Sequence, residues 1–275
     1  MSPTQSEKAL AFRALHAQTF VIPNPWDAGS ARVLAALGFK ALATTSAGHA
    51  YTLGRRDDEG GVTREETLAN AKAIVEATDL PVSADLENGF GDRPEDVMKT
   101  IRAASAAGLA GGSIEDATGD AARPIYDFTL AVERVAAAVE AAKALPVPFV
   151  LTARAENFLH GIRDLDDTVK RLQAFEQAGA EALYAPALGN LDHLRAVCSS
   201  VSRPVNVLAG GADFSVQQFA EAGARRISLG SSLARIALSA LMRAGEEIRD
   251  YGTFGFAKGG ASYAEIDRLM RGKGA

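Results

Sequence analysis

Acidic side chains and an arginine stand near the ends of several short apolar segments of this sequence. Asp85 and Glu87 lie in PVSADLE, Glu115 and Asp116 in GGSIED, and Arg154 in FVLTARAE. Four carboxylates beside one guanidinium repel one another, which raises their pKa values unless a cation joins them. Oxygen ligands suit Mg²⁺, Mn²⁺ or Ca²⁺ better than Zn²⁺. The pattern predicts a divalent-metal site, with Arg154 as a bidentate clamp for a substrate carboxylate or phosphate.

A purely structural interpretation competes with this one. Carboxylates at strand ends often cap the following helix or pair with an arginine, and Asp116 and Glu156 fit that description best. Arg154 could simply neutralise Glu87. The concentration of these groups on adjacent segments favours the metal site.

The elements that would carry these residues alternate along the chain. Eight β-like segments are rich in Val, Ile and Leu and are bounded by Gly or Pro: 20–24, 40–46, 81–87, 111–116, 149–156, 181–187, 204–210 and 225–231. Ala-rich segments of helical period lie between them, and several end at a glycine. Eight such units predict a (β/α)8 TIM-type barrel, whose active site lies at the carboxyl ends of the strands. A doubly wound open sheet is the alternative, but the sequence lacks the phosphate-binding glycine motifs that often accompany it.

Composition limits the function classes. The chain has 275 residues, of which 47% are hydrophobic and 23% charged, and its formal net charge is 29 − 34 = −5. We expect no nucleic-acid partner and no membrane partner, because no basic block and no apolar run of spanning length is found. The single cysteine, Cys198, and the lack of a signal-peptide pattern favour a cytoplasmic protein. No composition break divides residues 1–275, so one barrel domain is predicted, with a C-terminal extension over about 232–275.

Two predicted loops are longer than barrel loops usually are. Residues 47–62 follow the second strand segment and include Asp57, and residues 117–128 follow the fourth. Both contain glycines, which would allow the loops to move. The second loop is interpreted as a lid.

The sequence resembles the isocitrate lyase/phosphoenolpyruvate mutase superfamily over about residues 15–250. The resemblance is carried by NPWDAGSARVLAALGFKALATTSAG, LGRRD, ADLENGFGD, SIEDATG, TARAENF and PVNVL, in this order and at the predicted strand ends. It implies a Mg²⁺ enzyme, with Mn²⁺ as the alternative ion, that acts on a small 2-oxo acid. It also implies a homo-oligomer, a dimer or a homotetramer, in which subunits exchange the helix near 232–249.

The resemblance also assigns roles to individual residues. It makes Asp85 the direct metal ligand, and Asp57, Glu87 and Glu115 ligands through water. It places the substrate carboxylate on the turn formed by Ser46, Ala47 and Gly48, with Arg154 and Asn206 as further substrate-binding residues. The expected catalytic set is Asp57, Arg154, Ser46 and Glu115.

The departures from the family pattern concern proton donors. The lyases carry a Lys-(Lys/Arg)-Cys-Gly-His motif in the loop after strand four, whereas residues 117–128 read ATGDAARPIYDF. The glutamate of the lyases and the histidine of the mutases on strand six are replaced by a segment that contains Tyr184. Tyr184, Tyr51, His49 and His160 are the candidate substitutes; His16 and His193 are expected at surface or capping positions, and Cys198 as a buried small apolar residue.

Three hypotheses remain open. The first is a Mg²⁺-dependent carbon–carbon lyase that acts on a small 2-oxo or 2-hydroxy acid through an enolate. The second is phosphonopyruvate or phosphoenolpyruvate chemistry at a P–C bond, with Asp57 as nucleophile. The third is a catalytically weak protein that binds 2-oxo acids such as oxaloacetate or 2-oxoglutarate. The phosphonomutase-like branch, which the departures favour, does not share one reaction.

Overall fold

Eight parallel strands form a nearly closed barrel in the computed structural model, which describes residues 2–57, 61–211 and 213–271. The strands are β1 Phe20–Ile22, β2 Leu42–Ala43, β3 Val82–Asp85, β4 Gly111–Glu115, β5 Val150–Arg154, β6 Ala182–Tyr184, β7 Val205–Leu208 and β8 Arg226–Ser228. From β2 to β8 each strand pairs in parallel with the next one, and β1 pairs in parallel with β8. Between β1 and β2, the amide of Ala43 donates to the carbonyl of Pro23 at 3.1 Å. The predicted TIM-type barrel is confirmed.

The helices lie around this sheet. They are α1 Gln5–Leu15, α2 Ala28–Ala36, α3 Ser46–Thr52, α4 Arg64–Glu76, α5 Pro94–Ala106, α6 Phe128–Lys143, α7 Leu165–Ala178, α8 Leu191–Ser200, α9 Val216–Glu221, α10 Ser232–Tyr251 and α11 Tyr263–Met270, with a 3-10 turn at Gly255–Gly259. Four of them begin with a capping box, in which the N-cap side chain and the third residue of the helix bond each other's backbone amides: α1, α2, α4 and α9. Gly179 caps the carboxyl end of α7, and its φ of 106° is a left-handed conformation that glycine adopts without strain. Within the described residues, no helix has both the length and the apolarity to cross a membrane.

Two apolar clusters hold the barrel together. The larger one fills the layer between the sheet and the surrounding helices, and it includes Leu42, Ile101, Leu151 and Phe175. The smaller one joins α1 to the amino-terminal ends of the strands through the fully buried side chain of Phe12. α1 therefore closes the bottom of the barrel, opposite the strand ends that were expected to carry the chemistry.

Two segments differ from the sequence prediction. Residues 46–52 were expected in a turn and loop, but they form the short helix α3. The C-terminal helix α10 exposes most of its length: Ala234 is its buried residue, whereas Ile236, Leu241 and Met242 are each more than 60% exposed. An apolar face of this size on a long helix is typical of a contact surface.

Candidate functional site

Two adjoining cavities open at the carboxyl ends of the strands. The outer cavity has a volume of about 720 Å³ and is bounded by residues that include Glu87, Glu115 and His160. The inner cavity, of about 200 Å³, reaches into the barrel and is bounded by residues that include Asp85 and Tyr184. Ser46, Asp57 and Arg154 line both cavities.

Arg154, the last residue of β5, lies at the centre of the acidic cluster. Its guanidinium pairs with Asp85 at 2.8 Å, with Glu115 at 3.1 Å and with Glu156 at 2.6 Å. The register places Glu115 of β4 directly beside Arg154, which explains why two neighbouring strand ends meet here. The predicted substrate clamp is therefore bonded to three carboxylates of its own chain in this structure.

The electrostatics of the cluster favour uptake of positive charge. Burial raises the pKa of Glu115 well above its usual value, Arg154 opposes this, and the carboxylates of Glu156, Asp85 and Glu87 raise it further. Although burial disfavours its charged form, the surrounding carboxylates raise the pKa of Arg154, so this guanidinium stays charged. One cation shared by several carboxylates leaves an excess of negative charge, which a proton or a metal ion can neutralise.

The residues present fit a hydrated divalent ion. Asp85, Glu87 and Glu115 supply only oxygen donors, and they border cavities rather than a closed core. Among the described residues, no group of three or more His, Cys, Asp or Glu side chains converges in the manner of a fully protein-ligated metal. Mg²⁺ commonly retains several waters and binds through one or two carboxylates, so this donor set suits it.

Ser46 connects the second strand to the cluster. Its hydroxyl donates to Oδ2 of Asp85 at 3.1 Å, and its backbone amide lies 3.5 Å from the same oxygen. The expected Ser46–Gly48 turn is the first turn of α3, where the Gly48 amide donates to the capping hydroxyl of Thr45 at 3.2 Å. A Cβ on Gly48 would lie 2.5 Å from the Thr45 methyl and 2.9 Å from the Trp26 Cβ. A side chain at position 48 would therefore distort this turn.

The opposite wall of the inner cavity is polar but not acidic. Tyr184 is buried, its ring lies 5.2 Å from the Arg154 guanidinium, and burial raises its pKa to about 12. Asn206 donates to the hydroxyl of Ser228 at 2.9 Å. Asn24, another strand-end residue, donates to the carbonyl of Thr44 and accepts the amides after β8, so it fastens the barrel where β1 meets its neighbours.

Asp116 and Glu156 each pair with an arginine, which is the structural setting that the sequence suggested for them. Asp116 is not part of the cluster: it points away from the cavity, pairs with Arg171 at 3.0 Å, and accepts the Glu156 amide at 2.8 Å. Burial raises the pKa of Asp116 to about 6. The partner of Glu156 is Arg154, and its side chain is fully buried. Strand alternation explains the direction of Asp116, since Glu115 and Asp116 are adjacent and face opposite sides of the sheet.

The candidate proton donors occupy different depths. His160 is exposed at the rim of the outer cavity. His49 is buried in α3, and its Nε2 has no hydrogen-bond partner among the described residues. Tyr51 also lies on α3 and is half-buried. Of these candidates, Tyr184 lines the inner cavity together with Arg154.

Three further predictions concern residues outside the cluster. His16 caps α1, but it is buried rather than at the surface because it packs between Phe12 and Phe20. His193 is half-buried and its ring bonds the Leu188 carbonyl. Cys198 is half-buried on α8, and burial raises the pKa of its thiol to about 11.

The loop after β4 is partly ordered by its own backbone. Ala117 and Ile125 form an antiparallel bridge, and the amide of Thr118 donates to the carbonyl of Pro124 at 3.0 Å. Tyr126 anchors the end of the loop, because its hydroxyl donates to Asp92 at 2.6 Å. The segment interpreted as a lid is thus a small hairpin whose base is fixed.

Sequence reasoning missed one charged residue of the inner cavity. Arg226, the first residue of β8, is buried and lines the cavity below Ser228. The two residues are two positions apart and so face the same side of the strand, which is the signal that could have found it.

Comparison with known proteins places this geometry in a family. The sequence model described as phosphoenolpyruvate phosphomutase matches residues 12–249. A 2-methylisocitrate lyase of Halalkalibacterium halodurans is 30% identical over 261 residues, which cover 91% of this chain and 85% of the lyase. A crystal structure from Burkholderia cenocepacia J2315, assigned provisionally as a lyase or mutase, is 53% identical with a TM-score of 0.93, covering 96% of this chain and 95% of that one. The structure of 2,3-dimethylmalate lyase, a member of the PEP mutase/isocitrate lyase superfamily, is 26% identical with a TM-score of 0.85. The match covers 95% of this chain and 94% of that one. The chain belongs to the phosphoenolpyruvate mutase/isocitrate lyase superfamily of lyases and mutases.

Proposed function

We propose that the protein is a Mg²⁺-dependent lyase that cleaves a carbon–carbon bond in a small 2-oxo or 2-hydroxy acid. The observation that carries the proposal is the Arg154 cluster: three buried or half-buried carboxylates around one guanidinium, beside a cavity of about 200 Å³. A cavity of this size suits an acid of a few carbon atoms. The relatives named above as 2-methylisocitrate lyase and 2,3-dimethylmalate lyase act on small organic acids, which supports the same substrate class here.

The metal would be held by Asp85, with Asp57, Glu87 and Glu115 bonding through its waters. When bound, Mg²⁺ supplies Lewis-acid stabilisation to the negative charge that develops on a keto oxygen, or Mn²⁺ does so in its place. Ser46, Ala47 and Gly48 bind the substrate carboxylate beside Asp85. Arg154 orients the substrate through its fork of donors, and Asn206 binds it from the β7 side.

Tyr184 is the proposed proton donor in place of the cysteine that the 117–128 loop lacks. Its pKa of about 12 keeps the phenol protonated at neutral pH, which a general acid requires. It lies on the wall of the inner cavity beside Arg154, where a carbanion carbon of a bound acid would lie within reach. Tyr184→Phe would then slow turnover while leaving Mg²⁺ affinity unchanged.

A second candidate function is phosphonopyruvate chemistry. Asp57 favours it, because this carboxylate lines both cavities and could approach a phosphorus atom from the rim. The third candidate function is binding of a 2-oxo acid, such as oxaloacetate or 2-oxoglutarate, without turnover.

Product analysis by ¹H and ³¹P NMR tests these functions together. The protein is incubated with Mg²⁺ and a panel of oxaloacetate, 2-methylisocitrate, 2,3-dimethylmalate, other 2-hydroxy acids and phosphonopyruvate. Carbon–carbon cleavage products that disappear in Asp85→Asn support the proposal, while Asp120→Asn, a loop carboxylate about half exposed, serves as the charge-matched control. A new phosphorus signal from phosphonopyruvate, with no cleavage of the other acids, would favour the second candidate.

We also propose that the protein is a homo-oligomer, a dimer or tetramer, acting in the cytoplasm, and that α10 is exchanged between subunits. The apolar face of α10 supports the assembly, because Ile236, Leu241 and Met242 are exposed in the single chain. Light scattering after gel filtration would show a mass above 28.7 kDa. Leu241→Glu should shift that mass towards one chain, whereas Arg249→Glu on the same helix, already paired with its neighbour Asp250, is the control.

A further inference from the structure

Arg226 has an unusual environment for a buried arginine. It is 6% exposed, its Nε donates to Oδ1 of Asn206 at 2.9 Å, and one terminal nitrogen lies 3.5 Å from Nε2 of His16. A guanidinium carries five N–H donors, so these contacts leave several of them unused. Across residues 2–57, 61–211 and 213–271, no carboxylate lies within ion-pair distance of Arg226.

The neighbours of Arg226 do not compensate its charge. The Nδ1 of His16 lies 2.9 Å from the Phe12 carbonyl, so Nδ1 is the protonated nitrogen and Nε2 faces the arginine as an uncharged acceptor. Burial and the nearby Arg226 both lower the pKa of His16 to about 4, so the imidazole is neutral at physiological pH. Tyr184, the other titratable neighbour, is protonated at that pH. Burial lowers the pKa of Arg226 to about 10; Tyr184 opposes this, and repulsion from Arg154 contributes to it.

Two of the other buried arginines have the carboxylate partners that Arg226 lacks. Arg154 pairs with three carboxylates, and Arg171 pairs with Asp116 and Asp167. Arg134 has no ion pair with a described carboxylate, and its Nε has no partner among the described residues. It lines neither cavity, however, and its charge is directed at two backbone carbonyls and the Tyr126 ring. A buried cation without an anionic partner is costly, so a position that retains one has a use for its charge.

Arg226 shares the inner cavity with Asp85, the proposed direct metal ligand. Arg226, Asp85 and Arg154 all line this volume of about 200 Å³. Ser83 and Ser113 also line it. The deep end of the cavity therefore offers positive charge and hydroxyl donors, whereas its mouth is acidic.

We propose that Arg226 forms a second carboxylate-binding subsite at the deep end of the inner cavity, and that the substrate is a dicarboxylate whose second carboxylate binds there. The inference rests on the proposed function, since it requires the first carboxylate to bind beside Asp85. It adds a specificity: an acid that has a methyl group where the dicarboxylate has its second carboxylate binds more weakly. Arg226 supplies the positive charge, and the second carboxylate of the substrate supplies its anionic partner.

The test compares two ligands that differ only at that position. Malate and 2-hydroxybutyrate share the 2-hydroxy acid group, but malate carries a carboxylate where 2-hydroxybutyrate carries a methyl. Their dissociation constants are measured by calorimetry with saturating Mg²⁺ on the wild type, Arg226→Gln and Arg226→Lys. Arg13→Gln removes the same charge from an exposed pair with Glu181 outside the cavity and is the matched control.

We expect the wild type to bind malate about tenfold to a hundredfold more tightly than 2-hydroxybutyrate, the range that charge-assisted hydrogen bonds provide. Arg226→Gln should lose this preference and leave 2-hydroxybutyrate affinity unchanged, Arg226→Lys should keep part of it, and Arg13→Gln should keep all of it. A residue that only supported the fold would change both affinities alike.

Equal affinity of the wild type for the two ligands would overturn the inference. An equal loss of affinity for both ligands in a folded Arg226→Gln protein would overturn it as well. Failure of both ligands to bind the wild type in the presence of Mg²⁺ would instead refute the proposed function.

Discussion

Replacing Arg154 with methionine tests how strongly the acidic cluster depends on its one shared cation. The side chain of Arg154 is 11% exposed, and its three partners are 0–19% exposed, so all four groups are largely screened from water. Removing one partner of a buried ion pair typically costs about 3–5 kcal/mol, because the remaining charge loses its compensation. Three carboxylates share this guanidinium, so we expect a loss at the upper end of that range.

The assay is urea denaturation in a chelating buffer, followed by the same measurement with Mg²⁺. Arg154→Met should lower the free energy of unfolding by about 4–5 kcal/mol in chelator, whereas Arg13→Met, at an exposed pair, should cost less than about 1 kcal/mol. Mg²⁺ at a hundred times its dissociation constant stabilises a protein by about 2.7 kcal/mol. Mg²⁺ should stabilise the variant at least as much as the wild type, since the carboxylates of the variant keep more uncompensated negative charge.

Equal stability of Arg154→Met and the wild type in chelator would refute the electrostatic reasoning. A variant that is destabilised as expected but gains nothing from Mg²⁺ would show that the carboxylates hold the fold and do not bind the metal.

Four other predictions follow from the site and its surroundings. Asp85→Ala should abolish Mg²⁺ binding and Glu87→Ala should weaken it about 10–100-fold, and unchanged affinity of Asp85→Ala in calorimetry would contradict the ligand assignment. Cleavage of isocitrate and 2-methylisocitrate should be slow, because residues 117–128 lack cysteine and histidine; glyoxylate or pyruvate release at the rate of an authentic lyase would show that another acid has replaced them. His16, with a folded pKa of about 4 against 6.5 unfolded, binds a proton more readily in the unfolded chain, so stability should fall by up to about 3 kcal/mol as the pH decreases from 6.5 to 4. His16→Gln should remove that part of the pH dependence in chemical denaturation, and identical slopes for both proteins would disprove it. The Cys198 thiol should react slowly with Ellman's reagent at neutral pH, because burial raises its pKa to about 11, and rapid labelling of the native protein would contradict this.

The barrel and the position of its acidic cluster could be predicted because each follows from local pattern. Apolar strands that alternate with helices specify a covered parallel sheet, and parallel strands place their carboxyl ends together. Asp85, Glu115 and Arg154 could therefore be brought into one cluster without knowing any helix position.

The remaining site features depend on tertiary packing that no local pattern encodes. The helical conformation of residues 46–52 depends on the Thr45 cap and on close packing of Gly48 against Trp26. The burial of Arg226 at the start of β8 could not be predicted, since the sequence does not show that α1 covers that end of the barrel. The charge state of Glu115 likewise follows from depths and distances rather than from spacing.

The seal that α1 makes at the base of the barrel determines how molecules enter and leave the inner cavity. Phe12 is fully buried there, and a Cβ on Gly111 would lie 3.0 Å from its ring and 2.5 Å from the Val150 carbonyl, so the packing leaves no passage past it. Ligand, displaced water and product all use the mouth beside Ser46, Asp57 and Arg154. Under the proposed lyase function, we expect the product fragment nearer the mouth to leave before the deeper one. Product-inhibition patterns should consequently be ordered rather than random, with the fragment retained near Arg226 competing against fresh substrate.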